Sequence, residues 1–327
     1  MQKKIKWGIM GPGRIAHKFE QSLKCSEAAE ITAVGSRSIA RAAEFAKEYG
    51  ISRAYGSYAD LAADQDIDIV YVATPHPAHF ACAMLCLNAG KAVLCEKPFT
   101  LNASETKVLI KTARTANLFL MEAMWMRYLP AIVKLRELLA ENTVGEIRMV
   151  KADFGNRIPW EPEGRLLNPA LGGGALLDVG IYPISFAAML LGANPTKISG
   201  QAYLGTTGVD EQFSAILGYE TGSLAALSGA VRTALPNEAR VIGTEGYIRV
   251  PDFWRASSLE LYKNGQMEKF ELPFRSTGYI HEAEEAMYCL REGLTESSNM
   301  PLDESLQIMK ILDTLRKQWG LKYPPEK

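Results

Sequence analysis

Residues 5–16 read Ile5-Lys6-Trp7-Gly8-Ile9-Met10-Gly11-Pro12-Gly13-Arg14-Ile15-Ala16. An apolar run stops at Gly11, and the six residues from there fit the pattern G-x-G-x-x-A. Alone, that pattern is weak, because glycines often only make turns. Here it follows a strand-like run at once and opens an amphipathic segment, Arg14 to Lys24, which is the context that gives it a mechanism. The glycines permit a tight turn and close backbone approach to a pyrophosphate, which then sits on the positive end of the following helix. Gly11, Pro12, Gly13, Arg14 and Ile15 are therefore expected against a dinucleotide.

The same rhythm continues outward. Glu30 to Gly35, Ile67 to Ala73, Ala92 to Cys95 and Leu118 to Met121 are strand-like, and Ile39 to Tyr49, Pro77 to Ala89 and Ala103 to Ala116 are helix-like. Continuous apolar strands separated by helices predict an α/β Rossmann domain, a doubly wound parallel sheet covered on both faces. After about residue 145 the pattern changes to strands joined by short turns, among them Glu220-Thr221-Gly222 and Asn264-Gly265, where Gly and Asn tolerate positive φ. One long helix is expected at Gly174 to Leu191, and helical segments at Glu282 to Arg291 and Asp303 to Gln318. The second half reads as an α+β domain with a large, mostly antiparallel sheet. The expected domains are 1–122, binding the dinucleotide, and 123–327, for substrate and dimerisation, in line with about 150 residues per domain.

Composition narrows the partners. The chain has 327 residues, 47% hydrophobic and 22% charged, with a formal net charge of -1. That balance predicts a soluble protein with a sizeable core and no nucleic-acid or anionic-membrane partner. Met1-Gln2-Lys3-Lys4 runs into an apolar stretch too short for a signal peptide, and no run approaches the ~18 apolar residues of a membrane span. A cytoplasmic location is expected. Five cysteines, an odd number, argue against a disulfide framework, and four scattered histidines predict no metal site.

The strand ends choose the ligand. NAD sites generally place a carboxylate after the second strand, but this chain reads Val34-Gly35-Ser36-Arg37-Ser38. Arg37 supplies a planar cation suited to a 2′-phosphate, with Ser36 beside it, so NADP is expected over NAD. Ala73-Thr74-Pro75 and Glu96-Lys97-Pro98 also end apolar strands, where ligands of an open α/β sheet lie. Thr74, Pro75, Glu96 and Lys97 are thus expected at the cofactor cleft, with His79 lining its nicotinamide side. Pro98 sets the local turn, with a cis bond as one way of doing so.

Together, the glycine loop, Glu96-Lys97-Pro98 and the run Gly172-Gly173-Gly174-Ala175-Leu176-Leu177-Asp178-Val179-Gly180-Ile181-Tyr182-Pro183 resemble the Gfo/Idh/MocA family, named for glucose–fructose oxidoreductase and inositol dehydrogenase. The resemblance covers essentially the whole chain. Met121 to Arg127, Asp153-Phe154-Gly155 and Tyr182 look most like the dimeric dihydrodiol dehydrogenase branch. The resemblance implies an NAD(P)-dependent oxidoreductase acting on sugars, polyols or cyclic diols, with Lys97 in the active site.

The residues make chemical sense beside it. Asp178 and Tyr182 are four apart on an expected helix and so share one face. Hydride exchange with a carbinol carbon needs a group to take or return the hydroxyl proton. Tyr182 serves if a cation such as Lys97 lowers its pKa from ~10. Asp178 would orient substrate or lysine, although its charge opposes that shift. Many members of the family carry His in place of this tyrosine, which leaves Lys97 as the alternative proton carrier. Trp125 and Phe154, with Trp160 and Tyr279, offer flat faces to a ring-shaped small-molecule substrate, and Arg127 and Arg157 offer polar contacts. Core packing is the plainer reading of each aromatic. The hairpin Gln212 to Val231 carries few charges on either face, which predicts a homodimer through the second sheet. Two alternatives stay open: a non-catalytic NADP(H)-binding regulator, and an NAD-dependent glycoside hydrolase working through transient oxidation.

Overall fold

Strand β1 (Ile5–Met10) runs straight into the glycine turn and helix α1 (Arg14–Leu23), in a computed structural model that describes residues 3–324. There follow β2 (Ala29–Gly35), α2 (Ile39–Tyr49), β3 (Arg53–Tyr55), α3 (Tyr58–Ala63), β4 (Ile69–Val72), α4 (His79–Asn88), β5 (Ala92–Glu96), α5 (Ala103–Ala116) and β6 (Leu120–Ala123). The strands form a six-stranded sheet in the order β3-β2-β1-β4-β5-β6, and every pairing is parallel. All four residues of β4 are buried, as a strand covered on both faces requires, each large side chain contributing about 1.5–3 kcal/mol. Local chemistry sets the helix ends. Ser38 caps α2, which stops at Gly50 with φ 71°. Asn102 caps α5, accepting the Glu105 amide at 2.9 Å, and α5 stops at Asn117 with φ 52°.

The second half contains α6 (Pro130–Ala140), β7 (Ile147–Gly155), α7 (Ile181–Leu191), β8 (Lys197–Leu204), β9 (Asp210–Gly218), β10 (Leu224–Ala230), β11 (Glu238–Gly243), β12 (Gly246–Pro251), β13 (Ser258–Lys263) and β14 (Gln266–Glu271). Its eight strands lie in the order β14-β13-β12-β11-β7-β10-β9-β8 and are antiparallel except for β7 beside β10. Both expected hairpin turns close here, with Gly222 at φ 83°, Asn264 at φ 53° and Gly265 at φ 74°. Helix α7 packs on β7 and β10. On the other face of β8, β9 and β10, Tyr203, Ile216 and Leu224 are exposed among Gln201, Gln212 and Ser214.

Three features differ from expectation. The chain divides into one compact unit that runs to Trp125 and includes Arg275–Ser305, and a second that spans Met126–Phe274 and resumes at Leu306. The returning segment holds α8 (Ile280–Arg291) and the start of α9 (Leu302–Trp319). Its ties to the first unit are long-range: the Leu120 amide donates to Thr295 O at 3.0 Å, Arg114 pairs with Glu296 and Asp303, and Ser22 bonds Thr277 at 2.6 Å. The helix expected from Gly174 begins instead as a wide π turn, Leu176–Gly180, before α7. The stretch Pro169–Leu191 is also long and apolar enough to cross a membrane, contrary to expectation, with 78% of its window buried inside the protein.

Candidate active site

In the first unit, the singled-out residues collect at the carboxyl ends of neighbouring strands. The register sets Met10 beside Gly35 and Val72, and Val72 beside Cys95, so the strands stop level. Gly11 follows with φ +96°, and a Cβ there would lie 3.0 Å from Ala73 O. Only glycine fits both the conformation and the space. Gly13 caps α1 with no side-chain bond to the first-turn amides, and a Cβ on it would meet nothing within 4 Å. That open approach to a helix amino end suits a pyrophosphate.

Past β2, Ser36 is buried and its Oγ accepts the Ser38 amide at 3.2 Å, which shapes the turn. Arg37 is exposed, and its charge and that of Arg41 both act on the Tyr58 phenol. Burial raises Tyr58, and the two guanidiniums oppose that rise. Arg41 was not among the expected residues, although a second arginine in the first turn of α2, close after Arg37, is the signal that finds it.

Past β5, Lys97 is half-buried and joined to Pro98 by a cis bond. Glu96 is fixed from two sides: Tyr71 Oη donates to its Oε1 at 2.5 Å, and its Oε2 accepts the Lys97 amide at 3.2 Å. Glu122 holds the next stretch, accepting the Phe99 amide at 3.1 Å and Ser305 Oγ at 2.7 Å. Behind Glu96 stands a second acid, Glu282, fully buried, with no hydrogen bond to either oxygen among the described residues. Burial first, then the charge of Glu96, push the Glu282 carboxyl well above the usual range, and burial raises Tyr71 likewise. Trp125 is buried and stacks on Tyr279 with centroids 4.6 Å apart.

In the second unit, the π turn carries Asp178 and the first turn of α7 carries Tyr182. Arg165 Nη1 donates to Asp178 Oδ1 at 2.8 Å. Tyr182 meets Phe154 edge-on at 5.4 Å and Trp254 at 6.4 Å, and those two rings stack at 4.7 Å. The group is a phenol beside a flat aromatic pair. Neither Arg165 nor Trp254 was anticipated: Arg165 sits in a Gly- and Pro-containing loop and Trp254 in a short turn after β12, and neither segment has a periodic pattern. Trp160 is exposed, with the Arg232 guanidinium 5.4 Å from its ring centroid, and Arg157 is exposed too.

Two expected ligand contacts are internal struts instead. His79 is 1% exposed, with Nδ1 2.8 Å from Pro98 O and Nε2 2.8 Å from Thr74 O. Both ring nitrogens are thus engaged in tying the ends of β4 and β5 together. Arg127 is 1% exposed, its Nε donating to Ser185 Oγ at 3.1 Å and its Nη2 to Ser185 O at 3.0 Å. It anchors α7 through Ser185.

Comparison with known proteins agrees with this layout. Residues 5–124 match the profile described as an oxidoreductase family with an NAD-binding Rossmann fold, and residues 132–249 match the GFO/IDH/MocA C-terminal domain. A trans-1,2-dihydrobenzene-1,2-diol dehydrogenase from Danio rerio is 42% identical, covering 98% of each chain, and its Mus musculus counterpart is 40% identical, covering 99% of each. A 3-ketoreductase from Actinomadura kijaniata, solved with NADP and TDP-benzene, superposes with TM-score 0.85 at 27% identity, covering 96% of this chain and 98% of that one.

Proposed function

The chain belongs to the Gfo/Idh/MocA oxidoreductase family, acting on CH–OH groups with NAD(P), and from that premise we propose that it interconverts a cyclic diol and its ketone with NADP preferred. The observation that carries the substrate class is the phenol of Tyr182 beside the Phe154–Trp254 stack, two flat apolar faces next to a group that can hold a proton. A ring bearing a secondary alcohol suits that combination better than an open-chain polyol, and the diol dehydrogenases to which the chain is similar favour the same class.

The dinucleotide would lie on Gly11, Gly13 and the amino end of α1, with Thr74, Pro75 and Glu96 at neighbouring strand ends. Arg37 and Arg41 would face a 2′-phosphate, a dianion whose oxygens planar guanidiniums hold well. Bound there, the nicotinamide supplies hydride exchange with the carbinol carbon. Lys97 and Tyr182 are the groups we assign to the hydroxyl proton. Asp178 orients polar groups of the substrate, and its Arg165 partner offsets the negative charge that would otherwise hold the Tyr182 phenol protonated.

The test is turnover of trans-dihydrodiols of benzene and naphthalene with NADP, alongside a panel of sugars and open-chain polyols. Diol oxidation with catalytic efficiency well above that of every polyol is expected. Efficient turnover of sugars with none of cyclic diols would overturn the substrate class while leaving the family intact. We further propose that the open face of β8–β10 pairs two copies about a two-fold axis, because Tyr203, Ile216 and Leu224 leave it partly apolar. Light scattering with a Tyr203→Lys/Ile216→Lys variant checks this, and a wild type that runs as a monomer at micromolar concentration overturns it.

A further inference from the structure

The helix start that carries Asp178 is met from a distant part of the chain by a second buried acid. Asp210, first residue of β9, is fully buried, and its Oδ2 accepts the Leu176 amide at 2.6 Å across 34 residues of sequence. The Ala175 amide is directed at the same carboxyl. The residues just before the turn, Gly172-Gly173-Gly174, have no side chain to cap it, so the cap comes from elsewhere. Gly174 turns the chain at φ +118°, and a Cβ on it would collide with Asp210 Oδ1. Tyr323 Oη donates to Gly173 O at 2.7 Å. The glycine run is thus fitted around one carboxyl.

We propose that Asp210 is a positioning residue for the oxidoreduction: bound to the first amides of the turn, it fixes where the helix begins and so where Asp178 and Tyr182 point. The proposal rests on the roles given to those two residues above. Charged and titratable groups facing Asp210 come from the C-terminal segment: Arg316, itself bound to Asp313, and Tyr323, over whose ring Arg316 lies at 5.2 Å. The turn presents only backbone amides to it. Burial raises the Asp210 pKa to about 7, opposed first by the Leu176 amide, then by its own amide and by Arg316. An opened turn would release that proton near the ordinary value of 3.8. Raising the pH between those values therefore favours opening by about tenfold per pH unit, and above the upper value the effect stops.

The experiment uses the full chain as wild type, Asp210→Ala and Asp210→Asn, reading kcat, NADPH affinity and amide exchange of residues 174–182 from about pH 5.5 to 8.5, corrected for intrinsic rates. For Asp210→Ala, we expect kcat lower by about tenfold or more, NADPH affinity within about twofold of wild type, and faster exchange of the segment. Asp210→Asn keeps an oxygen for the Leu176 amide but cannot ionise. It should recover most of kcat, and its exchange should not follow the acid-side slope of the wild type. The proposal is overturned by an alanine variant with kcat per folded molecule within about twofold of wild type, or by an asparagine variant that keeps the wild-type slope. If the alanine variant does not fold, the asparagine exchange profile decides. If the wild type turns over no substrate, the assignment of Asp178 and Tyr182 fails by itself, and exchange still decides whether Asp210 holds the turn.

Discussion

The strand end at Glu96–Lys97 and the helix start at Asp178–Tyr182 both bring polar groups into apolar surroundings, but they are held by different means. At the strand end, sheet register does most of the positioning: β5 is flanked by β4 and β6, and Lys97 simply follows the last paired residue. Side chains there, Tyr71 on Glu96 and His79 between two carbonyls, trim a geometry the backbone has already set. At the helix start, the backbone is a wide π turn whose aim depends on side chains from three distant places, Arg165 on Asp178, Asp210 on Leu176 and Arg127 on Ser185. A site built on a sheet edge tolerates loss of a neighbour, whereas a site built on a turn depends on each tie.

The largest expected effect asks which side carries the proton. Lys97→Met and Tyr182→Phe should each lower kcat by about 10²–10⁴-fold, the true proton carrier falling further and losing its limb of the pH–rate profile. NADPH affinity measured separately should barely change for Tyr182→Phe. Equal, small losses from both would remove the contrast at its root.

Next in size come the struts. Arg127→Met removes the buried bonds to Ser185 and should cost about 2–4 kcal/mol in urea unfolding, with a fall in kcat as α7 loosens. His79→Phe should cost about 1–3 kcal/mol and leave kcat per folded molecule closer to wild type. Matching kcat losses would mean that the strand end leans on its side chains as heavily as the helix start does. Arg37→Ala comes third. Removing one charge-assisted contact, worth about 1.5–3 kcal/mol, should weaken NADPH by tenfold or more while NADH binding stays put. Fluorescence titration of both cofactors reads this directly, and equal loss for both would return the second strand's end to an NAD-type reading.

The smallest effect tests how firmly the strand end holds its spare acid. Glu282 keeps its proton to a higher pH when folded than when unfolded, so the folded state binds the extra proton between the ordinary carboxylate range and the raised value. Stability is therefore fullest below that range and falls as pH rises through the window, by about 1.4 kcal/mol per pH unit while it lasts. Glu282→Gln should unfold with less pH dependence and gain relative to wild type on the alkaline side, which chemical denaturation at several pH values would show. A variant with the wild-type slope would place that proton on another group.

Much of this protein is legible without coordinates, for reasons particular residues make plain. The glycine turn, the apolar runs of β1, β2, β4 and β5, and the polar residues at their ends follow from patterns only a few residues long, so Gly11, Arg37, Glu96 and Lys97 stand out at once. The Asn264-Gly265 turn is local in the same way. Strand β14 is not: its residues are almost all exposed and charge-rich, and it exists because β13 pairs with it. The internal bonds of His79 and Arg127 are not legible in the sequence, because a polar residue near a strand end looks the same whether it faces ligand or backbone. The partners that decide, Pro98 and Ser185, lie 19 and 58 residues away.

By itself, then, the sequence determined the two sheet types, the cofactor turn, the cation after the second strand and the candidates Lys97, Asp178 and Tyr182, because hydrophobic period, turn chemistry and strand ends are properties of neighbours along the chain. Only the tertiary structure decided that residues 275–305 belong with the first unit, that Asp178 is met by Arg165, and that the glycine run closes around Asp210. Those are pairings between residues far apart in the chain, chosen by which buried polar group finds a partner, and no local pattern encodes that choice.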